Sequence, residues 1–236
     1  MLGNWINQCD NIVFFGGAGV STESGIPDFR GGDGLYRQQW DYPPETILSH
    51  SFFVKSPEVF YRYYREKLAV DDAQPNSAHL ALADLEREGK LVAVITQNID
   101  GLHQAAGSKN VLELHGSTKR AYCVKCGAEY GPDYINKGDG VPMCRLCQGV
   151  IRPDVVLYEE SLDADVMQRS IEYISQAQML IVGGTSLAVY PAAGMVNYYS
   201  GDKMVLINKD ATQFDRAANL LIKGKIGEIL ARAWKY

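Results

Sequence analysis

The sequence predicts a doubly wound α/β fold, a parallel sheet covered by helices on both faces, with a smaller second unit beside it. Three observations carry that reading. Short apolar runs suited to buried strands recur along the chain, helical patterns alternate with several of them, and two stretches interrupt the alternation. Crossover helices cover both faces of such a sheet, so its strands are expected to be apolar throughout.

In chain order, Ile12 to Phe15 is the first apolar run, and it leads straight into Gly16, Gly17 and Gly19. Gly31 to Pro75 is the first interruption: it holds a Gly-rich turn, Pro43-Pro44 and an aromatic helix from Pro57 to Leu68, and no strand. Ser77 to Glu88 then reads as a helix, and Leu91 to Ile95 and Val111 to Leu114 as strands. Lys119 to Gly149, the second interruption, carries four cysteines with several Gly and Pro. The remainder alternates: helix Ala164 to Ala177, strand Met179 to Gly183, helix Pro191 to Tyr199, strands Met204 to Ile207 and Leu220 to Ile222, helix Ile226 to Trp234. The division expected is a large domain of residues 1–30, 76–118 and 150–236 and a small one of 31–75 and 119–149.

With 46% hydrophobic residues in 236, the chain can bury one large core or two unequal ones. Its net charge of -5 argues against nucleic acid as a partner, because phosphate backbones are bound through concentrated Lys and Arg. Met1 to Gln8 lacks the pattern of a secretory signal and the apolar runs are too short to span a bilayer, so the expectation is a soluble, cytoplasmic protein without a membrane partner.

Cys123, Cys126, Cys144 and Cys147 form two C-x-x-C pairs with seventeen residues between them, the spacing of a four-thiolate zinc site. Two disulfides or redox pairs are the alternative. Four thiolates would fill a tetrahedral zinc and leave no position for water, so the metal would be structural. Cys9 reads as a small residue packed near the first strand.

The loop Gly17-Ala18-Gly19 begins like a dinucleotide fingerprint, but Thr22 stands where its third glycine belongs, and no second strand ends in an acidic residue about 20 positions on. A structural turn would account for the two glycines alone. The neighbours Asp28, Phe29 and Arg30 add an acid, an aromatic and an anion-pairing cation to the same loop. Gln97, Asn98, Ile99 and Asp100 follow the strand Leu91 to Ile95, and His115 follows Val111 to Leu114, so both sets fall at strand ends, where α/β sheets bind ligands. Helix capping explains Asn98 or Asp100 singly, and a packed histidine explains His115. Taken together they make His115 a candidate general base.

These motifs resemble those of the sirtuins, the NAD-dependent protein-lysine deacylases. The match consists of Gly17-Ala18-Gly19-Val20-Ser21, Gly25-Ile26-Pro27-Asp28-Phe29-Arg30, Thr96-Gln97-Asn98-Ile99-Asp100-Gly101-Leu102-His103, His115-Gly116, the cysteine pairs, Gly183-Gly184-Thr185-Ser186-Leu187 and Asn208. The resemblance implies a Rossmann-like NAD domain and a small domain built from the helical insertion and the zinc module. It implies that NAD is consumed, that acetylated lysine in a protein or peptide is the substrate, and that the products are nicotinamide, free lysine and O-acetyl-ADP-ribose. By similarity Gly17, Ala18, Gly19, Thr22, Asp28, Phe29, Arg30 and Tyr36 line the cofactor, and Gln97, Asn98, Ile99 and Asp100 the nicotinamide pocket. Gly184, Thr185, Ser186, Asn208 and Ile226 take the ribose and adenine end. His115 is implied as general base and Asn98 as a residue orienting the ribose or a water.

Val155, Val156, Leu157 and Tyr158 correspond to the segment that receives the peptide as an added strand. Glu159 replaces the glycine that the family usually carries there, which leaves open the backbone turn and whether the extra carboxylate favours basic flanking residues. Desuccinylating relatives carry a Y-x-x-R pair on the small-domain helix; Tyr61 and Tyr64 stand there, but Arg65 is one residue off, about 100° around a helix, so acetyl is favoured over succinyl. Core packing explains the same aromatics. Mono-ADP-ribosyl transfer and an NAD- or ADP-ribose-sensing module are the rival functions.

Overall fold

The protein is described by a computed structural model covering residues 1–29, 31, 34–37, 39–70 and 72–234. Helix α1 (Leu2–Gln8) leads into β1 (Ile12–Gly16), and two 3₁₀ turns carry the chain from Ala18 to Ser24. A short 3₁₀ turn at Leu35–Arg37 precedes α2 (Pro44–Ile47), α3 (His50–Lys55) and α4 (Pro57–Tyr63), and α4 ends in a π turn, Tyr64–Leu68. Next come α5 (Ser77–Arg87), β2 (Leu91–Thr96), α6 (Leu102–Ala105) and β3 (Val111–Glu113). The strands β4 (Gly116–Cys123) and β5 (Glu129–Tyr130), helix α7 (Pro132–Asn136) and β6 (Ile151–Val155) make the cysteine-bearing region. The chain closes with α8 (Ala164–Gln176), β7 (Met179–Gly183), β8 (Met204–Asn208), β9 (Leu220–Lys223) and α9 (Ile226–Trp234). The helical pattern expected over Pro191 to Tyr199 is formed as a 3₁₀ run at Ala192–Tyr198. Gly194 in the middle of this run favours no helix strongly.

Among the described residues, six strands make one parallel sheet in the order β3-β2-β1-β7-β8-β9. Apolar side chains leave it on both faces. Ile12, Phe14, Val94, Ile181 and Val205 pack under α1, α5 and α9, while Val13, Phe15, Ile95, Leu180 and Leu206 pack under α8 and the 192–198 run. The order reverses between β1 and β7, because the chain moves outward one way through β2 and β3 and the other way through β8 and β9. That reversal opens a crevice at the strands' carboxyl ends, the position at which such sheets bind ligands.

A second, antiparallel sheet has the order β5-β4-β6. It reaches beyond 119–149 on both sides, since β4 starts at Gly116 and β6 ends at Val155. The small sheet therefore crosses the expected break at 149/150, since β6 pairs with β4. A third core, with Ile47, Phe53, Phe60, Tyr61, Tyr63, Ile135, Ile151 and Leu157, joins this sheet to α2–α4. No described helix is long and apolar enough to cross a membrane.

Candidate active site

The crevice between β1 and β7 opens into a cleft of about 540 Å³ that continues to the small sheet. Its first wall is two glycine loops in backbone contact. Gly19 N–H donates to Gly184 O at 2.8 Å, and a Cβ on Gly184, which has φ +60, would lie 2.4 Å from Val20 N. Only glycine lets the two strand ends approach so closely.

Two hydrogen-bonded chains cross the strand ends. Gln97 Nε2 donates to Thr185 Oγ1 at 3.0 Å, and Asn208 is paired with Thr185 through Thr185 N–H to Oδ1 at 3.1 Å and Nδ2 to Thr185 O at 2.9 Å. Residues at the carboxyl ends of β2, β7 and β8 are thus fixed relative to one another. The second chain runs from Asn98 Nδ2 to Ser21 Oγ at 3.0 Å, and from Ser21 Oγ–H to Asp100 Oδ2 at 2.6 Å; Asp100 Oδ1 accepts Leu102 N–H at 2.9 Å. Ser21, 1% exposed, was not singled out as a site residue in the sequence, although it belongs to the Gly17–Ser21 motif. Its place between the buried Asn98 and the half-buried Asp100 is what shows its part in the site.

The flap over the cleft is folded on itself: Asp28 Oδ1 accepts Gly31 N–H at 2.7 Å, Asp28 O accepts Leu35 N–H and Phe29 O accepts Tyr36 N–H. The Phe29 ring meets the Tyr36 ring edge-on, 5.5 Å between centroids. Arg30 lies outside the described residues. Thr22 bonds back to Gly19 O, Ile99 O accepts both Thr118 N–H and Thr118 Oγ1–H, and Ile226 begins α9 with its side chain against Gly183. Gly17, Ala18, Gly19, Thr22, Asp28, Phe29, Tyr36, Ile99, Ser186 and Ile226 all line this cleft.

His115 occupies the joint between the two sheets. Its backbone O accepts Val156 N–H at 3.0 Å, and at the next residue Gly116 has φ +73, where a Cβ would lie 2.0 Å from Asp154 O. A glycine is required for β4 to leave β3 at this angle. His115 Nδ1 lies 2.9 Å from Gln97 O. A carbonyl only accepts, so Nδ1 carries the proton and Nε2 keeps its lone pair. Burial holds the imidazole below its ordinary pKa, with the Gln97 bond opposing, so the ring is neutral near pH 7.

Residues 155–158 form the far wall, and most of their backbone groups are engaged. Tyr158 N–H donates to Leu48 O at 2.9 Å and Tyr158 O accepts His50 N–H, while Leu157 N–H donates to Glu160 Oε2 at 2.8 Å. Arg152 forks onto both Glu160 oxygens at 2.6 and 2.9 Å. Burial raises the Glu160 pKa, but Arg152, the Leu157 N–H and His50 outweigh it and hold the carboxyl at about 2. The turn left open by Glu159 is kept: the residue adopts φ +74, and its carboxylate accepts Ser51 N–H and Ser51 Oγ–H, both at 2.9 Å. These bonds on the first turn of α3 offset a left-handed conformation that costs a non-glycine residue about 1–2 kcal/mol.

At the small sheet, Cys123 Sγ is 3.5 Å from Cys147 Sγ, Cys126 Sγ is 3.6 Å from Cys144 Sγ, and the four sulfurs all lie within 4.8 Å of one another. Thiolates around a tetrahedral zinc with Zn–S bonds near 2.3 Å sit about 3.8 Å apart, whereas a disulfide needs about 2.05 Å. The donor set therefore fits one structural zinc, and the cysteines are unpaired. Lys125 N–H and Leu146 N–H point at Cys123 and Cys144 Sγ, bonds that support thiolate charge.

A sequence model of the Sir2 family matches residues 17–191, which include both glycine loops, the flap, His115 and all four zinc-site cysteines. The chain belongs to the Sir2 family. A relative from Clostridium perfringens, an NAD-dependent protein deacetylase, is 56% identical over 230 residues, 96% of this chain and 94% of its own. Another of the same description, from Clostridium acetobutylicum, is 55% identical over 228 residues, 95% and 93% of the two chains. Among solved structures, a Sir2 variant in complex with deacetylated p53 peptide and 3'-O-acetyl ADP ribose superposes with a TM-score of 0.91 at 40% identity, covering 99% of this chain and 96% of that one. A Sir2–p53 peptide–NAD+ complex gives 0.88 at 41% identity, with coverage of 98% and 95%.

Proposed function

We propose that this chain removes acetyl groups from protein lysines by consuming NAD, with NAD held in the crevice between β1 and β7 and the peptide against residues 155–158. The observation that carries this is His115, a neutral imidazole at the seam between the two binding walls, with its Nδ1 bonded to Gln97 O and no hydrogen-bond partner for Nε2 among the described residues. The residues fit NAD by their chemistry: two glycine loops free of side chains for a phosphate, the Gln97–Thr185–Asn208 chain for hydroxyls, and an aromatic flap for a flat base. Bound NAD supplies the ribose carbon that receives the acyl oxygen and the nicotinamide that leaves.

The protein's own part is positioning and proton transfer. His115 Nε2 takes a proton from a hydroxyl brought to it, while the Gln97 carbonyl holds the Nδ1 proton and fixes the ring. Asp100 and Ser21 keep the Asn98 amide oriented, and the Phe29 flap excludes water. The four thiolates hold zinc away from the chemistry.

Acetyl is favoured by where Arg65 goes. Its guanidinium donates to Ile135 O at 2.8 Å and Gly140 O at 2.7 Å, on the side of α7, and no described arginine lines the cleft. The expected two-unit division, with β6 added to the small unit, and a cytoplasmic location belong to the same proposal.

The test is nicotinamide release with NAD and no peptide, an acetyl-lysine peptide or a succinyl-lysine peptide. Release that requires acetyl-lysine and yields O-acetyl-ADP-ribose is expected; ADP-ribose left on protein, or NAD binding without release, would sink the reading. His115→Ala should lower the rate by about 10²–10⁴ while zinc content and melting temperature hold.

A further inference from the structure

Among the described residues, a pair of hydroxyls joins the flap to the peptide wall. Tyr36 Oη and Tyr158 Oη are 2.5 Å apart, joining residues 122 positions apart in the chain. Either oxygen can donate, and both residues line the cleft. On the peptide side Tyr158 is rigid, because its N–H and C=O are both bonded to the segment that opens α3. On the flap side, Tyr36 carries Phe29 with it through the edge-on ring contact and the Tyr36 N–H to Phe29 O bond at 3.0 Å. Phenylalanine at 158 would supply the same ring to the cleft. What the phenol adds is a polar tie between the wall that takes the peptide and the flap that takes NAD.

We propose that Tyr158 is a positioning residue for NAD, acting through Tyr36, and that it sets the flap before the cofactor arrives. The proposal rests on the functional reading given above for which ligand each wall holds. A flap tied to a fixed wall has less freedom to lose when NAD binds, so the hydroxyl pair should tighten NAD binding without touching NAD. The Asp28 and Phe29 bonds close on the flap itself and do not reach the wall. Peptide affinity should depend little on the hydroxyl, because the Tyr158 ring and its backbone bonds remain in its absence.

The experiment compares wild type with Tyr158→Phe, Tyr36→Phe and the double variant. NAD dissociation constants are measured calorimetrically without peptide, and KM is measured for NAD and for acetyl-lysine peptide. Each single variant should weaken NAD binding about threefold to tenfold, the worth of one neutral hydrogen bond. The double variant should be no weaker than the weaker single, because both remove one shared bond. KM for NAD should rise while KM for peptide stays within about twofold. Unchanged or tighter NAD binding by Tyr158→Phe, or effects that multiply in the double variant, would overturn the proposal. A wild type that binds NAD but does not deacetylate would instead sink the functional reading, and the calorimetric comparison would still decide this one.

Discussion

The two sheets of this molecule are held together by different physics. In the parallel sheet, β1, β7 and β8 are buried at every position and sandwiched by helices, so the strands are stabilised by apolar burial from both sides. In the small sheet, β4 mixes buried and exposed residues, β5 is two residues long, and the loops beyond it converge on four sulfurs. A short antiparallel sheet with one apolar face is marginal alone and needs a staple. The cleft lies on the joint: the burial-held sheet supplies the wall of glycine loops and strand ends, and the small sheet supplies the wall at residues 155–158.

The largest effect should come from breaking the staple. A structural zinc contributes on the order of 10 kcal/mol to folding the unit it holds. Chelation, or Cys144→Ser, should abolish peptide-dependent activity and strip amide-exchange protection from β4 and β6 while β1, β7 and β8 stay protected. Protection lost in both sheets together would show one cooperative unit. Next in size, Ile181→Ala leaves a hole in the centre of the parallel sheet, where Ile181 is wholly buried, and should cost about 2–5 kcal/mol in denaturant unfolding with zinc content unchanged.

Acid should act on the parallel-sheet side. His79 and His103 are buried against one another, 4.7 Å between ring centroids. Burial, partly opposed for His79 by Asp100, brings His79 down to about 4 from 6.5, and burial with His79 beside it brings His103 to about 3. Both folded values lie below the unfolded one, so the unfolded chain binds protons first. The stability these rings contribute is complete above pH 6.5 and is lost as pH falls through about 4 and then 3. Unfolding midpoints should therefore fall on acidification below pH 6.5, and less steeply in His103→Leu. A slope unaltered by that substitution would place the acid sensitivity elsewhere.

The smallest effect probes the tether between the units. Glu159→Ala keeps the left-handed backbone and loses both Ser51 bonds, whereas Glu159→Gly loses the bonds and the strain. The glycine variant should be the more stable of the two by about 1 kcal/mol in thermal melts. Equal stabilities would mean that the turn is not strained.

Much of this was legible in the order of residues. Apolar runs with interleaved helical patterns specify a buried parallel sheet because burial on two faces leaves no room for polar alternation. Gly17 and Gly19 mark a glycine loop at a strand end, and the spacing of Cys123, Cys126, Cys144 and Cys147 marks the metal, because both are local constraints written in local sequence; that the first loop packs on Gly184 is a tertiary contact. The 3₁₀ form of the run at 192–198 and the strand β6 were not legible: the first is a backbone choice between two helical hydrogen-bond patterns, and the second exists only through its pairing with β4.

The sequence by itself determined which residue types are available to the cleft and which strand end each follows. The tertiary structure decided what they do to one another. Ser21 meets Asp100 from 79 residues away, Gln97 meets Thr185 from 88, and Tyr36 meets Tyr158 from 122. It also decided that the proton on His115 sits at Nδ1, that Arg65 turns from the cleft, and that Glu159 is spent on Ser51. Hydrogen bonds are short-ranged and directional, so their partners are fixed only when the sheet order brings distant strand ends side by side.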